Sequence, residues 1–298
     1  MKKKTKKFLR HFIVILLVFG YYYLKDINQE SYSKQDNPST KEVDTNLSIH
    51  YIDVGQADSI LIKNEQHSML IDAGNNEDGP LLVKYLKEEH NITKLDFIVG
   101  THPHEDHIGG LDDIINNFEV KDIYLPEAMT TTKTFEDVLD AIANSELEIT
   151  IPEIGEKFKI GELNFEVIYT DNGEKGLNES SIILKMTFGN HKYLFTGDTT
   201  SEIEKTILTD NIDIDVLKVA HHGSKYSTSK AFLDIATPNY AIISTGEGNS
   251  YNHPDKETIS RLIEQTNNIY ITKDVGTIIL TSNGKEIKVN TIKTNTNG

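Results

Sequence analysis

Four potential metal ligands, His102, His104, Asp106 and His107, fall within six residues of the run Thr101-His-Pro-His-Glu-Asp-His-Ile-Gly-Gly110. Imidazole nitrogens and carboxylate oxygens together suit zinc, manganese and similar divalent ions. Alternate residues of a tight loop point the same way, so His102, His104 and Asp106 share one side while the adjacent His107 points to another. One short segment can therefore serve two metals. A pair of such ions activates a water and clamps the oxygens of a phosphodiester, which makes hydrolysis the chemistry to expect. A single histidine in a polar loop is usually a surface residue; three with a carboxylate at this spacing are a ligand set. Gly109 and Gly110 are expected to turn the chain sharply into a helix.

There is no cysteine, which excludes disulfides, a thiolate nucleophile and thiolate-bound zinc. Any metal site must use histidine and carboxylate. Further candidates are Asp198 after the run Leu194-Phe-Thr-Gly, and the adjacent His221 and His222. His253 stands just before Pro254, where a turn residue and a catalytic group are equally in play. His11, His50, His67, His90 and His191 lie in the leader, strands or helix ends and read as structural.

These residues need strand tips to hold them. Apolar runs predict strands at Leu47–Val54, Ser59–Lys63, Ser68–Asp72, Leu95–Gly100, Leu163–Tyr169, Ile182–Phe188, Lys192–Phe195, Ile214–Val219, Tyr240–Ser244, Ile269–Thr272 and Thr277–Leu280. Helical spacing predicts helices at Leu81–Glu89, Phe135–Ala143, Glu202–Leu208, Lys230–Ile235 and through Ile259, Leu262 and Ile263. Two series of strands and helices with polar residues at the tips suggest two packed sheets with helices outside. The His-rich loop follows the fourth of these strands, and His221 and His222 follow the eighth.

Taken together, the motifs resemble the metallo-β-lactamase superfamily, whose His-x-His-x-Asp-His run matches His102 to His107. The resemblance implies an α/β (α+β) fold, an αββα four-layer sandwich of two mixed β-sheets with outer helices, and two divalent ions, Zn2+ or Mn2+. It implies that Asp72 in Leu-Ile-Asp-Ala-Gly orients the metal loop, that Asp198 bridges the metals, and that His221 is the last ligand. The pairing of His221 with His222 leaves open which of the two binds. More narrowly, Asp53-Val-Gly-Gln-Ala-Asp-Ser59, Asn178-Glu-Ser-Ser181, His221-His-Gly-Ser224 and the stretch from Ser244 through Asn249 to His253-Pro254 are similar to the extracytoplasmic hydrolase domain of ComEC competence proteins. The similarity covers about Leu47 to Thr291; Ala57 departs from it, where that subgroup usually has glycine. Many superfamily members place a third histidine on the first metal, yet residues 108–190 contain none. The resemblance puts Asn178 and Ser181 in that region, so oxygen ligands would loosen the first metal and favour manganese over zinc. Asp106 would fix one metal and orient the nucleophile, with His222 or His253 protonating the leaving oxygen.

The formal charge is −16. Residues 1–25 carry six lysines and one arginine without an acid, so the remainder has 23 basic against 46 acidic residues. A body this acidic repels polyanions, and a nucleic-acid substrate would have to be held by metals and a local basic patch, for which Lys218, Lys225 and Lys230 are candidates. The basic run Lys2 to Arg10 and the apolar stretch from Phe12 read as a signal peptide or membrane anchor over residues 1–25, with 26–45 a flexible linker and 46–298 the hydrolase domain. Tyr21, Tyr22 and Tyr23 favour an uncleaved anchor with the domain outside the cytoplasm. The expectation is an extracytoplasmic phosphodiesterase acting on DNA by resemblance. The alternatives are a teichoic-acid or phosphocholine esterase of the cell wall, a β-lactamase, and a non-catalytic binding module.

Overall fold

Period-two alternation decides the layering of this protein. In the strand Ser59–Asn64, Ile60 and Ile62 face one buried cluster and Leu61 faces another. In His191–Phe195, Tyr193 and Phe195 join the first cluster, while Leu194 joins a third. Strands apolar on both faces must be covered on both faces, and a four-layer sandwich does this. The computed structural model describes residues 46–208 and 212–293, all within one compact unit. The readings of 1–25 and 26–45 lie outside the described residues.

The first sheet holds β1 (Leu47–Tyr51), β2 (Ser59–Asn64), β3 (His67–Ala73), β4 (Lys94–Val99), β5 (Glu119–Tyr124) and β6 (Ile149–Thr150). The second holds β7 (Lys157–Ile160), β8 (Leu163–Tyr169), β9 (Ile183–Phe188), β10 (His191–Phe195), β11 (Val216–Lys218), β12 (Tyr240–Ile243) and β13 (Asn268–Ile271). The chain then returns as β14 (Thr277–Ser282) and β15 (Ile287–Ile292) to the edge of the first sheet, giving the orders β15-β14-β1-β2-β3-β4-β5-β6 and β13-β12-β11-β10-β9-β8-β7. Both sheets are mixed. β3 to β6 run parallel, as do β10 to β13.

Between the sheets lies the core of Tyr51, Ile60, Met69, Phe97, Phe165, Met186 and Phe195. Outside the first sheet packs Lys133–Asn144, with Phe135, Val138, Ala141 and Ile142 buried at helical spacing. Thr132 caps it by accepting from the Phe135 N–H. Outside the second sheet, Lys230–Ala236 and Lys256–Gln265 bury Phe232, Leu233 and Leu262. Among the described residues no helix is long and apolar enough to cross a membrane.

Several elements carry no clear apolar pattern and were not expected. β5 reads Glu-Val-Lys-Asp-Ile-Tyr, with charges on its exposed positions, and β15 is an exposed edge. The expected helix Glu202–Leu208 is a single turn, Ser201–Glu204. Its Glu204 carboxylate is buried and accepts from the Thr228 and Ser229 N–H groups, tying down the loop that precedes the next helix.

Candidate metal centre

The metal-ligand candidates stand beyond the carboxyl ends of parallel strands, where open α/β sheets place their ligands. Asp72 is the next-to-last residue of β3, His102 to His107 follow β4, Asp198 follows β10, and His221 and His222 follow β11. The His-rich loop is pressed against the end of β3: the Gly109 N–H donates to Gly74 O (2.9 Å) and the Gly110 N–H to Ala73 O (3.2 Å). A Cβ on Gly109 would lie 2.3 Å from the Asn75 carbonyl carbon, and one on Gly110 2.5 Å from Ala73 O. Both have negative φ. Close approach, not the sharp turn expected from sequence, is therefore why glycine stands there.

Asp72 is a buried hub. Its carboxylate accepts from the Thr101 N–H (2.7 Å), the Thr101 hydroxyl (2.8 Å) and His107 Nδ1 (2.8 Å). That fixes the His107 ring so that Nε2 faces Asp198 Oδ1 at 3.2 Å. His222 is held in the same manner, Nδ1 lying 2.9 Å from Ser244 O and Nε2 3.2 Å from Asp106 Oδ2 and 3.6 Å from Asp198 Oδ2. An imidazole steered through one nitrogen and offering the other is the usual arrangement of a ligand histidine. Asp106, His107, Asp198 and His222 thus bring one ligand atom each within 4.8 Å of one another. Beside them, His102 Nε2 and His104 Nδ1 are 2.9 Å apart.

Of the adjacent pair, then, His222 joins the cluster, where sequence put His221 among the metal ligands and His222 among the catalytic groups. His221 Nε2 stays 3.7 Å from Asp198 Oδ2, and its ring turns edge-on towards His253. Both histidines have left-handed backbone, φ 51° and 52°, as does Asp72 at 58°. Such conformations cost of order 1–3 kcal/mol and concentrate where a site over-determines them.

The electrostatics ask for positive charge at this point. Burial alone would lower His107, but the charges of Asp198, Asp72 and Asp106 outweigh it and hold the imidazole protonated well above its ordinary range. Burial would raise Asp198, yet His107 and His222 keep it well below the usual carboxylate range. His107 Nε2 and Asp198 Oδ1, buried 3.2 Å apart, pair by charge but lack hydrogen-bond geometry with each other or with any other group. With Asp106 and His222 they make a donor set that fits a divalent ion, which would displace the imidazole proton.

The remaining candidates take distinct places. Ser181 Oγ accepts from the Asp198 N–H (3.1 Å) and so positions that carboxylate. Asn178 lines the cavity above the cluster, with Oδ1 buried and unpartnered. Asn249 clamps the His253 turn: Nδ2 donates to His253 O (2.9 Å) and Oδ1 accepts from the His253 N–H (2.9 Å). His253 itself lines the cavity, which measures about 800 Å³.

The basic patch expected from Lys218, Lys225 and Lys230 does not form. Lys230 pairs with Asp234 and Glu264, and Lys225 stands over the Tyr226 ring. Lys218 is buried, with Nζ 2.6 Å from Asp58 Oδ2. Asp58 escaped the sequence reading as a site residue, although it lies in the quoted run Asp53 to Ser59. Its N–H donates to Asp106 O (3.0 Å) and its carbonyl accepts from Gly74 N–H (2.8 Å), so the pair ties both sheets together beneath the cluster. Lys218→Met should destabilise the fold by about 3–5 kcal/mol, because it strands a buried carboxylate. Adding Asp58→Asn should restore most of that loss in denaturant unfolding. A double variant no more stable than the single one would refute the pairing argument.

With this geometry in place, the comparison with known proteins is decisive for the family: residues 52–247 match the metallo-beta-lactamase superfamily model. This chain belongs to the metallo-beta-lactamase superfamily. It is a metal-dependent hydrolase of that superfamily, with two mixed sheets between outer helices as expected. It is similar to ComE operon protein 3 of Bacillus subtilis, 30% identical over 251 residues that cover 77% of this chain and 32% of the relative. Recombination protein 2 of Haemophilus influenzae is 27% identical over 235 residues, 77% of this chain and 27% of that protein. The chain thus spans about a third or less of the length of these relatives. Among solved structures, CmlA, a diiron beta-hydroxylase from Streptomyces venezuelae, superposes with a TM-score of 0.55 at 11% identity, covering 80% of this chain and 54% of that one. At that identity the likeness concerns the fold alone.

Proposed function

We propose that this superfamily member is an extracytoplasmic phosphodiesterase that hydrolyses DNA or a related phosphodiester with two divalent ions, zinc or manganese. The observation that carries the reading is the convergence of Asp106, His107, Asp198 and His222 at the floor of a wide cavity, next to the paired nitrogens of His102 and His104. The similarity to Recombination protein 2 supports nucleic acid as the substrate class. Asp106, His107 and His222 would hold one ion, His102 and His104 the other, and Asp198 both, with the Asn178 oxygen assigned to the place of the absent third histidine. Ions there supply a water of lowered pKa and neutralise charge developing on phosphoryl oxygens. Asp72 and Ser244 orient the two ligand imidazoles, Ser181 orients Asp198, and His253 delivers a proton to the leaving oxygen. The basic and apolar residues 1–25 would hold the domain on the outer face of the membrane.

Elemental analysis of protein reconstituted with zinc or manganese should find about two ions per chain. The loaded protein should hydrolyse bis-p-nitrophenyl phosphate and DNA but not nitrocefin. Stoichiometry near zero with both metals would sink the metal assignment, and nitrocefin turnover alone would move the reading to a β-lactamase.

A further inference from the structure

The cavity above the cluster has an unusual wall for a site that meets a polyanion. Among the described residues that line it there is no lysine or arginine, while Glu77 and Glu105 are present. Within the cavity, phosphates flanking the scissile one find no lysine or arginine side chain to pair with, and the contact that normally dominates nucleic-acid affinity is missing there. What the wall does offer is one large aromatic face. Tyr251 is 68% exposed, lines the cavity, and lies nearly parallel to the His253 ring, with centroids 5.7 Å apart at 17°. The turn that presents it is fixed from both sides: Asn249 Nδ2 donates to Gly246 O (2.8 Å) and His253 O (2.9 Å), and the Asn252 N–H donates to Asn249 O (3.2 Å). An aromatic ring on a tied-down turn, left open at the mouth of a hydrolytic cavity, is a platform for another flat ring, and base stacking on such a face tolerates any sequence.

Resting on the phosphodiesterase reading, we propose that Tyr251 stacks the nucleobase next to the scissile phosphate, and that the substrate is accordingly single-stranded nucleic acid. In a duplex the faces of each base are covered by its neighbours and must first be unstacked. A quaternary ammonium group also binds aromatic faces, but it is recognised by cages of several rings. Tyr251 is the one tyrosine, phenylalanine or tryptophan among the described lining residues.

The test compares three substrates on the metal-loaded full chain: a short single-stranded oligodeoxynucleotide, the same length of abasic strand, and the duplex. Tyr251→Ala should raise KM for the base-bearing strand about 10- to 100-fold, at least about tenfold more than for the abasic strand. Tyr251→Phe and Tyr251→Trp should stay within about threefold of the parent. Because few phosphates are paired, KM for the parent should vary with salt no more steeply than about one neutralised phosphate requires. Equal losses on base-bearing and abasic strands would reduce Tyr251 to a support for His253 and overturn the proposal. So would duplex cleavage as fast as single-strand cleavage, or inhibition by free choline stronger than by a nucleoside monophosphate. Hydrolysis of bis-p-nitrophenyl phosphate with no cleavage of any strand defeats this inference alone. No phosphodiester turnover at all defeats the phosphodiesterase reading with it.

Discussion

Replacing Asp106 by alanine is expected to cut phosphodiester turnover by about 10³-fold or more, with the fold intact. The expected loss follows from several kcal/mol of charge stabilisation at about 1.36 kcal/mol per factor of ten. Asp106 Oδ2 lies 3.2 Å from His222 Nε2 and 4.0 Å from His107 Nε2, so its removal takes one ligand from a four-membered set. The side chain is 30% exposed and opens no core cavity when truncated. Its backbone carbonyl, which accepts from the Asp58 N–H, survives the substitution. Thermal unfolding should therefore shift by only a few degrees while bound metal falls from about two ions to about one. A variant that keeps both ions and more than about a tenth of its activity would show that the ligand set has been misread.

His253→Ala should slow hydrolysis of a natural phosphodiester by about 10²–10⁴-fold, the range of a lost general acid. The residue lines the cavity, and its turn is held by Asn249 and by Lys273 Nζ, which donates to the His253 carbonyl (3.1 Å). Those bonds reach backbone atoms and remain in the alanine variant, so metal content should not change. An alkoxide leaving group needs a proton, whereas p-nitrophenolate scarcely does. The defect should accordingly shrink on bis-p-nitrophenyl phosphate and persist on DNA. Equal defects on both substrates would remove His253 from the role of proton donor, and loss of metal would return it to a structural one.

The two substitutions also probe how far the sequence reaches. The ligand loop was legible because its chemistry is contiguous: His102, His104, Asp106 and His107 lie in one loop, and no folding argument is needed to bring them together. The layering was legible too, since Ile60 and Ile62 against Leu61, or Tyr193 and Phe195 against Leu194, require two covered faces. β5 and β15 were not, because strands with charged or solvent-facing positions carry little apolar signal and owe their place to pairing with β4 and β14. The choice between His221 and His222 lay beyond the sequence for a sharper reason. Two adjacent residues with left-handed φ send their rings in directions that no strand or helix period predicts. Only the distance to Ser244 O and Asp106 Oδ2 selects His222.

Lys218 makes the same point from the side of charge. In sequence it stands three residues before His221 and reads as part of a basic patch. In the fold it closes a 2.6 Å ion pair with Asp58, which is 160 positions away in the chain. The sequence by itself determined which residue types could bind metal, that two sheets would be needed, and the family to which the chain belongs. The tertiary structure alone decided which histidine faces the cluster, which charges are spent in buried pairs, and which aromatic ring is left open at the cavity. Those outcomes depend on contacts between strands far apart in the chain, and local patterns of polarity hold no record of them.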